Sequence, residues 1–254
     1  MGYTNSPLVT YTKLSPNHSG QRTHTIDRIT PHCVVGQCSV ETVAEVFAPV
    51  SRQASCNYVI GADGRVGMIC EEKNRSWCSS SAANDQRAVT IECASDKTEP
   101  YAFKDEVYKR LIELCVDICK RNGKTKLLWL GTKEKALSYE PKPDEMVLTV
   151  HRWFANKSCP GDWLMARMDD LAAKVTARLG GTSAGGDAEK KVTYRVRKTW
   201  EDSKTQVGAY KVLANAKKAA DEHPGYAVFD EDGVKVTEGD GSESSESSKK
   251  NSEE

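Results

Sequence analysis

The sequence predicts an α/β layered domain followed by a small α+β module. Three observations point there. Short β-branched runs alternate with amphipathic segments from residue 24 to residue 179, the pattern of a sheet layered with helices. A Gly/Ser-rich stretch, "GGTSAGGDAEKK" at 180–191, then interrupts the alternation, as a linker does. Beyond it one more set of strand, helix and hairpin precedes an end, "GDGSESSESSKKNSEE", that has no aromatic or aliphatic residue. Such a composition cannot bury enough surface to order itself. The reading is a domain over 1–180, a linker over 181–191, a β-α-β-β module over 192–238 and a disordered tail over 239–254.

The elements follow in chain order. The first twenty residues read as a polar arm, without the basic-then-apolar pattern of a secretory signal. "HTIDRITPHCVV", 24–35, is a strand ending near Pro31-His32. "SVETVAEVFA" is a short helix: Ser39 caps it, and Val43, Val46 and Phe47 form its apolar face. "NYVIGADGRVGMICEE" is a hairpin around Gly-Ala-Asp-Gly. "RAVTIECAS" suits a central strand.

"FKDEVYKRLIELCVDICKRNG" places Val107, Leu111, Leu114, Cys115 and Ile118 on one helical face and stops at Gly123. "KLLWLG" is a strand, "KEKALSYEPKPDEM" a loop with two prolines, and "MVLTVH" a strand delivering His151 at its end. "DWLMARMDDLAAKVTARLGG" is one final helix, closed by Gly180-Gly181. In the module, "VTYRVRKTW" is a strand, "KTQVGAYKVLANAKKAADEHPG" holds a helix and "YAVFDEDGVKVTEG" is a hairpin around Asp232-Gly233.

Composition excludes several classes. With 36 basic and 36 acidic residues the formal net charge is zero, so a strongly basic nucleic-acid binder is not indicated. No run of about 18 apolar residues exists, so no membrane span is expected. The nine cysteines include no CxxC pair, which argues against a four-cysteine zinc site. Most read as reduced, buried small hydrophobes, whereas Cys33 and Cys38 are open to either a disulfide or two thiols.

Five residues carry the candidate chemistry. His32 and His151 each close a β-branched strand, and Cys159 follows His151 across a seven-residue loop. A catalytic zinc takes three protein donors and keeps a position open, and His and Cys are its usual donors. Spacing alone leaves a metal site and an ordinary strand-end histidine both open. Lys157 stands two residues before Cys159, where its ammonium could reach a metal-bound substrate. Glu92 interrupts the apolar strand "VTIEC", and a carboxylate there must be paired, ligating or catalytic.

The segments "ITPHC", "NYVIGADGRV", "AVTIECAS" and "HRWFANKSCPGDW", taken in order, resemble the type-2 zinc N-acetylmuramoyl-L-alanine amidases, the family of phage endolysins and peptidoglycan recognition proteins. The resemblance covers about residues 20–180. It implies a mixed central β-sheet flanked by helices, with a zinc cleft over one edge. It implies His32, His151 and Cys159 as zinc ligands, Lys157 as the oxyanion partner and Glu92 as general base. Cys56 stands where the phage-lysozyme branch keeps a catalytic tyrosine, so Tyr58 is expected in the core.

Trp77, Asn84 and Arg87 could contact muramyl peptide or belong to a solvated loop, and Trp153 and Phe154 could stack on sugar or pin their loop. The implied partner is bacterial peptidoglycan, reached from the cytoplasm after holin-type release of a phage or prophage endolysin. The other reading is a non-catalytic peptidoglycan-binding protein, a class that typically loses a zinc ligand. The stretch at 192–238 weakly resembles half of a SPOR repeat, which implies a wall-binding module.

Overall fold

Alternation along the strands divides the sheet into an apolar face and a face that carries polar groups. The computed structural model describes residues 3–180, 193–210, 213–230, 233, 235 and 236. The chain divides into two compact units, Met1–Ala184 and Gly185–Glu254. The first holds a seven-stranded sheet ordered β1 (Val9–Thr12), β5 (Val66–Met68), β4 (Tyr58–Ile60), β7 (Ala88–Cys93), β3 (Arg28–Cys33), β9 (Glu145–Leu148) and β8 (Lys126–Leu128). β4 and β5 pair antiparallel and the other neighbours parallel, so the sheet is mixed.

Ile29, Tyr58, Ile60, Val89, Ile91 and Met146 project to one side. They pack there against α3 (Asp105–Arg121) and α6 (Met168–Arg178). α3 supplies Val107, Leu111, Leu114, Cys115 and Ile118, the face that its sequence spacing predicts. Val59 projects to the other side and packs under α1 (Val40–Phe47), whose Ser39 accepts a hydrogen bond from the Thr42 amide. Because side chains alternate across a strand, Thr30 and His32 on β3 and Thr90 and Glu92 on β7 share this second side. The register sets His32 directly beside Glu92.

Four elements of the first unit differ from the sequence reading. The polar arm is structured: β1 pairs with β5, and β2 (His18–Gln21) pairs antiparallel with β6 (Asn74–Ser76) in a separate ribbon. Backbone pairing overrides the arm's polar composition. The 74–88 stretch ends in α2 (Ala82–Arg87), capped by Ser81. The loop before β9 contains α4 (Lys133–Ser138), because the Thr132 side chain accepts from the Lys135 amide and starts a turn. The final helix is broken into α5 (Asp162–Met165) and α6. Arg167 leaves helical geometry there, and its guanidinium lies 4.0 Å over the Trp163 ring while hydrogen-bonding the Trp163 carbonyl.

Tyr58 is fully buried, and its hydroxyl donates to Glu72 Oε1 at 2.7 Å while accepting from the Ser6 amide at 2.8 Å. Glu72 is itself 1 % exposed and is paired by Arg121 from the last turn of α3. Removing one partner of a buried ion pair leaves an uncompensated charge. Arg121→Ala is therefore expected to destabilise the first unit by about 3 kcal/mol. Urea unfolding checks this, and a loss below about 1 kcal/mol would place the Glu72 charge in water instead.

The second unit holds β10 (Tyr194–Arg197), β11 (Gly208–Tyr210), α7 (Leu213–Asp221) and β12 (Ala227–Phe229), with strand order β11-β10-β12 and both pairings antiparallel. Its topology over the described residues is thus β-β-α-β, which corrects the β-α-β-β order expected from sequence: Gly208–Tyr210 pairs with β10 before the helix begins. The Gly-Ala-Tyr strand, weak in strand propensity, is held by pairing with β10. Val196, Ala216, Ala219 and Val228 form its core. Phe229 bridges Lys235, whereas Asp232, the linker and the tail lie outside the described residues.

Candidate active site

The second side of the sheet gathers the chemistry at the C-terminal ends of β3, β7 and β9. His32 is the penultimate residue of β3 and is 1 % exposed. His151 follows β9 in a single turn, and the two rings meet edge to face with centroids 5.0 Å apart. The chain then folds back so that Cys159 Sγ lies 3.3 Å from His32 Nδ1.

That return is held by Arg152. Its guanidinium takes the Ser158 carbonyl and Asp162 Oδ1, and its amide donates to the Cys159 carbonyl at 3.1 Å. Gly161 closes the turn at φ +86°, and a Cβ there would lie 2.7 Å from the Pro100 carbonyl oxygen. Glycine is therefore required at 161 by a close backbone approach.

The electrostatics follow from burial. Desolvation, then the neighbouring His151, pushes His32 well below the usual histidine range. Desolvation, then Lys157, lowers His151. Both imidazoles are thus neutral, the form that ligates metals. The Cys159 thiol is pushed up by its hydrogen bond with Cys33, then by burial and the Glu92 charge. Burial raises Glu92 to about 8. Its Oε1 accepts from the Cys78 thiol at 3.8 Å and stands 3.9 Å from His32 Nδ1, while Oε2 is buried with no hydrogen-bond partner.

These residues fit a zinc ion. Donor atoms of His32, His151 and Cys159 all lie within 4.8 Å of one another, as do those of His32, Cys78 and Glu92. Zinc–nitrogen bonds of ~2.0–2.1 Å and zinc–sulfur bonds of ~2.3 Å put a tetrahedral nitrogen–sulfur pair roughly 3.5 Å apart, and Cys159 Sγ lies 3.3 Å from His32 Nδ1, within about 0.2 Å of that separation. A thiol with two neutral imidazoles is a set that zinc prefers over harder cations.

Two cavities meet at this centre. One, about 500 Å³, is walled by Cys33, Val46, Phe47, Glu92, Tyr101 and Cys159. The other, about 570 Å³, is walled by Arg75, Trp77 and Ser81. Arg52, His151 and Lys157 line both.

A family model described as N-acetylmuramoyl-L-alanine amidase matches residues 21–162. The chain belongs to this family. The match spans all five residues predicted to carry chemistry and ends before the second unit. No curated protein matches the sequence. Solved structures similar to this amidase-family chain include the Staphylococcus aureus hydrolase AmiA in complex with its ligand, at 11% identity and TM-score 0.49, covering 72% of this chain and 90% of that one. An AmpD derivative is similar at 14% identity and TM-score 0.47, over 68% of this chain and 99% of that one. A mutant endolysin from Bacillus subtilis is similar at 12% identity and TM-score 0.46, over 65% and 97%.

The remaining candidates of this amidase-family chain separate. Trp77 walls the second cavity, its Nε1 donating to Ser19 Oγ at 2.6 Å. Asn84 is 1 % exposed, and its amide joins Thr30, Ser79 and Thr149 in a network under the centre. Arg87 pairs with Asp27 and Glu140. Neither lines either cavity, and both spend their polar groups on the partners just named. Trp153 stacks on Trp129, centroids 5.1 Å apart and planes at 8°. Cys56 is buried under α1, and its thiol is pushed up by desolvation.

Sequence reasoning missed Ser80 and Cys78. Ser80 sits at φ +63°, and its Oγ lies 2.9 Å from His151 Nε2. Nothing local in "CSSSAAND" distinguishes the serine that meets His151 from its neighbours. Among the described residues no helix is long and apolar enough to cross a membrane.

Proposed function

We propose that this chain hydrolyses the amide between N-acetylmuramic acid and L-alanine in bacterial peptidoglycan, with a zinc ion held by His32, His151 and Cys159. The observation that carries the reading is a buried carboxylate, Glu92, with one unpartnered oxygen beside a cluster of two neutral imidazoles and a thiol. Zinc bound there supplies Lewis-acid polarisation of the amide carbonyl and a lowered pKa for water. Glu92 Oε2 takes the proton of the attacking water and returns it to the departing alanine nitrogen. Cys78 steadies the other oxygen, which leaves Oε2 as the uncommitted one. The Lys157 ammonium offsets negative charge growing on the carbonyl oxygen. Val46, Phe47 and Tyr101 exclude water from one wall. A phage or prophage endolysin released to the wall is the setting we propose.

Mass spectrometry of digested sacculi tests the reading. Free muramic acid lactyl groups and new L-alanine amino termini are expected, and both are expected to vanish on chelation and return with zinc. Cleavage at any other bond would reject the assignment. Wall binding without cleavage by the zinc-loaded chain would support a non-catalytic binding protein.

A further inference from the structure

We infer that the second cavity is a subsite for a carboxylate of the stem peptide, one or two residues beyond the scissile amide, read by Arg52 and Arg75. The inference rests on the amidase reading. The cavity opens on His151 and Lys157, so a ligand group seated there lies within a residue or two of the reacting bond.

Its wall carries three cations and one acid, and the Glu92 charge attracts Arg52 from the neighbouring cavity without a close ion pair. Arg52, Arg75 and Lys157 all line it, and none makes an ion pair with any described residue. The Arg75 Nε is buried and has no hydrogen-bond partner, an exception that a bound acceptor would remove. The acid on the wall, Asp85, is 2 % exposed, and its oxygens already accept the Cys78 and Ser79 amides at 3.1–3.2 Å. Net charge across the chain is zero, so this excess is a local arrangement.

The arginine is also aimed. Arg75 on β6 and Trp77 just after it are two residues apart, the spacing of one strand face. Ser19 on β2 hydrogen-bonds both side chains, which holds them toward the cavity. A neutral sugar has no need of three cations, whereas a planar guanidinium matches a carboxylate. The stem peptide carries carboxylates that some walls leave free and others convert to carboxamides. The subsite therefore sets which walls are cut.

The test uses the full zinc-loaded chain and two synthetic substrates. Both are N-acetylmuramoyl-L-alanyl-γ-D-glutamyl-L-lysine, one with a free glutamyl α-carboxylate and one with the carboxamide. The acid is expected to exceed the carboxamide in kcat/KM by about tenfold at low salt. The ratio should shrink toward unity near about 1 M salt, where the screening length is ~3 Å. Arg52→Gln and Arg75→Gln are each expected to bring the ratio within about twofold of unity, and Arg52→Lys, which keeps the charge and loses the planar fork, to keep only part of it. Equal rates in the wild type, or a ratio that neither glutamine variant moves, would overturn the subsite. So would glycerol phosphate oligomers that inhibit both substrates equally through Arg52, which would assign the cavity to a phosphodiester. Failure to cut either substrate would instead overturn the amidase reading.

Discussion

Cys159→Ala is expected to strip zinc from the chain and to lower amide hydrolysis by at least about a thousandfold. A metal contributes several kcal/mol to such a transition state, and each ~1.4 kcal/mol is tenfold in rate. Cys159 is the cleanest of the three donors to remove. His32 is 1 % exposed between two strands, so truncating it also opens a cavity in the sheet. Cys159 is half-buried on a loop whose path is fixed by Arg152 and Gly161 instead. Its sulfur touches His32 Nδ1 at 3.3 Å, so its loss leaves two imidazoles and no negative donor. Cys159→Asp supplies a carboxylate, also a zinc ligand, and is expected to retain metal and part of the rate. Metal content after gel filtration decides the first point, and the zinc-induced rise in melting temperature the second. Stoichiometric zinc in Cys159→Ala would remove Cys159 from the ligand set.

The parts of this arrangement that the sequence announces are those set by local period. The strand that carries His32, the hairpin after Asn57 and the Val107–Ile118 stripe of α3 each follow from alternation or helical spacing. Glu92 stood out because it violates the apolar pattern of its own strand. What sequence period cannot report is which side chains distant segments present to one another. Arg87 and Asn84 look like cleft residues in a polar stretch, yet Asp27, Glu140, Thr30 and Thr149 claim them, from positions roughly 50 to 65 residues away by the same contacts. Arg52 looks like one more surface cation, and its place between two cavities depends on the packing of α1 over the sheet. The same limit hid β1 and β2, whose polar residues are ordered by partners at 66–68 and 74–76.

Glu92→Gln is expected to keep zinc, keep the fold and lower kcat by about 10²–10⁴-fold, the range for removing a positioned acid–base group. The substitution is nearly isosteric, so a side-chain oxygen can still accept from Cys78. Burial raises the Glu92 carboxyl to about 8, a cost to the charged form that the glutamine amide does not carry. The metal-free variant should therefore melt no lower than the wild type. A loss of turnover with intact zinc content and melting temperature then belongs to the proton transfer. The split between constants separates the roles further. A base acts in the transition state, so kcat falls while KM stays within about threefold. A residue that only shapes the cavity would raise KM instead. If Glu92→Gln turned over normally, Glu92 would be a structural acid held by Cys78. The unpartnered Oε2 would then have to find its acceptor role in the ligand set, as the His32–Cys78–Glu92 cluster permits. Zinc retention in the Glu92→Gln/Cys159→Asp double variant distinguishes that case. A carboxylate that ligates is missed when the third donor is weakened, and one that only moves a proton is not.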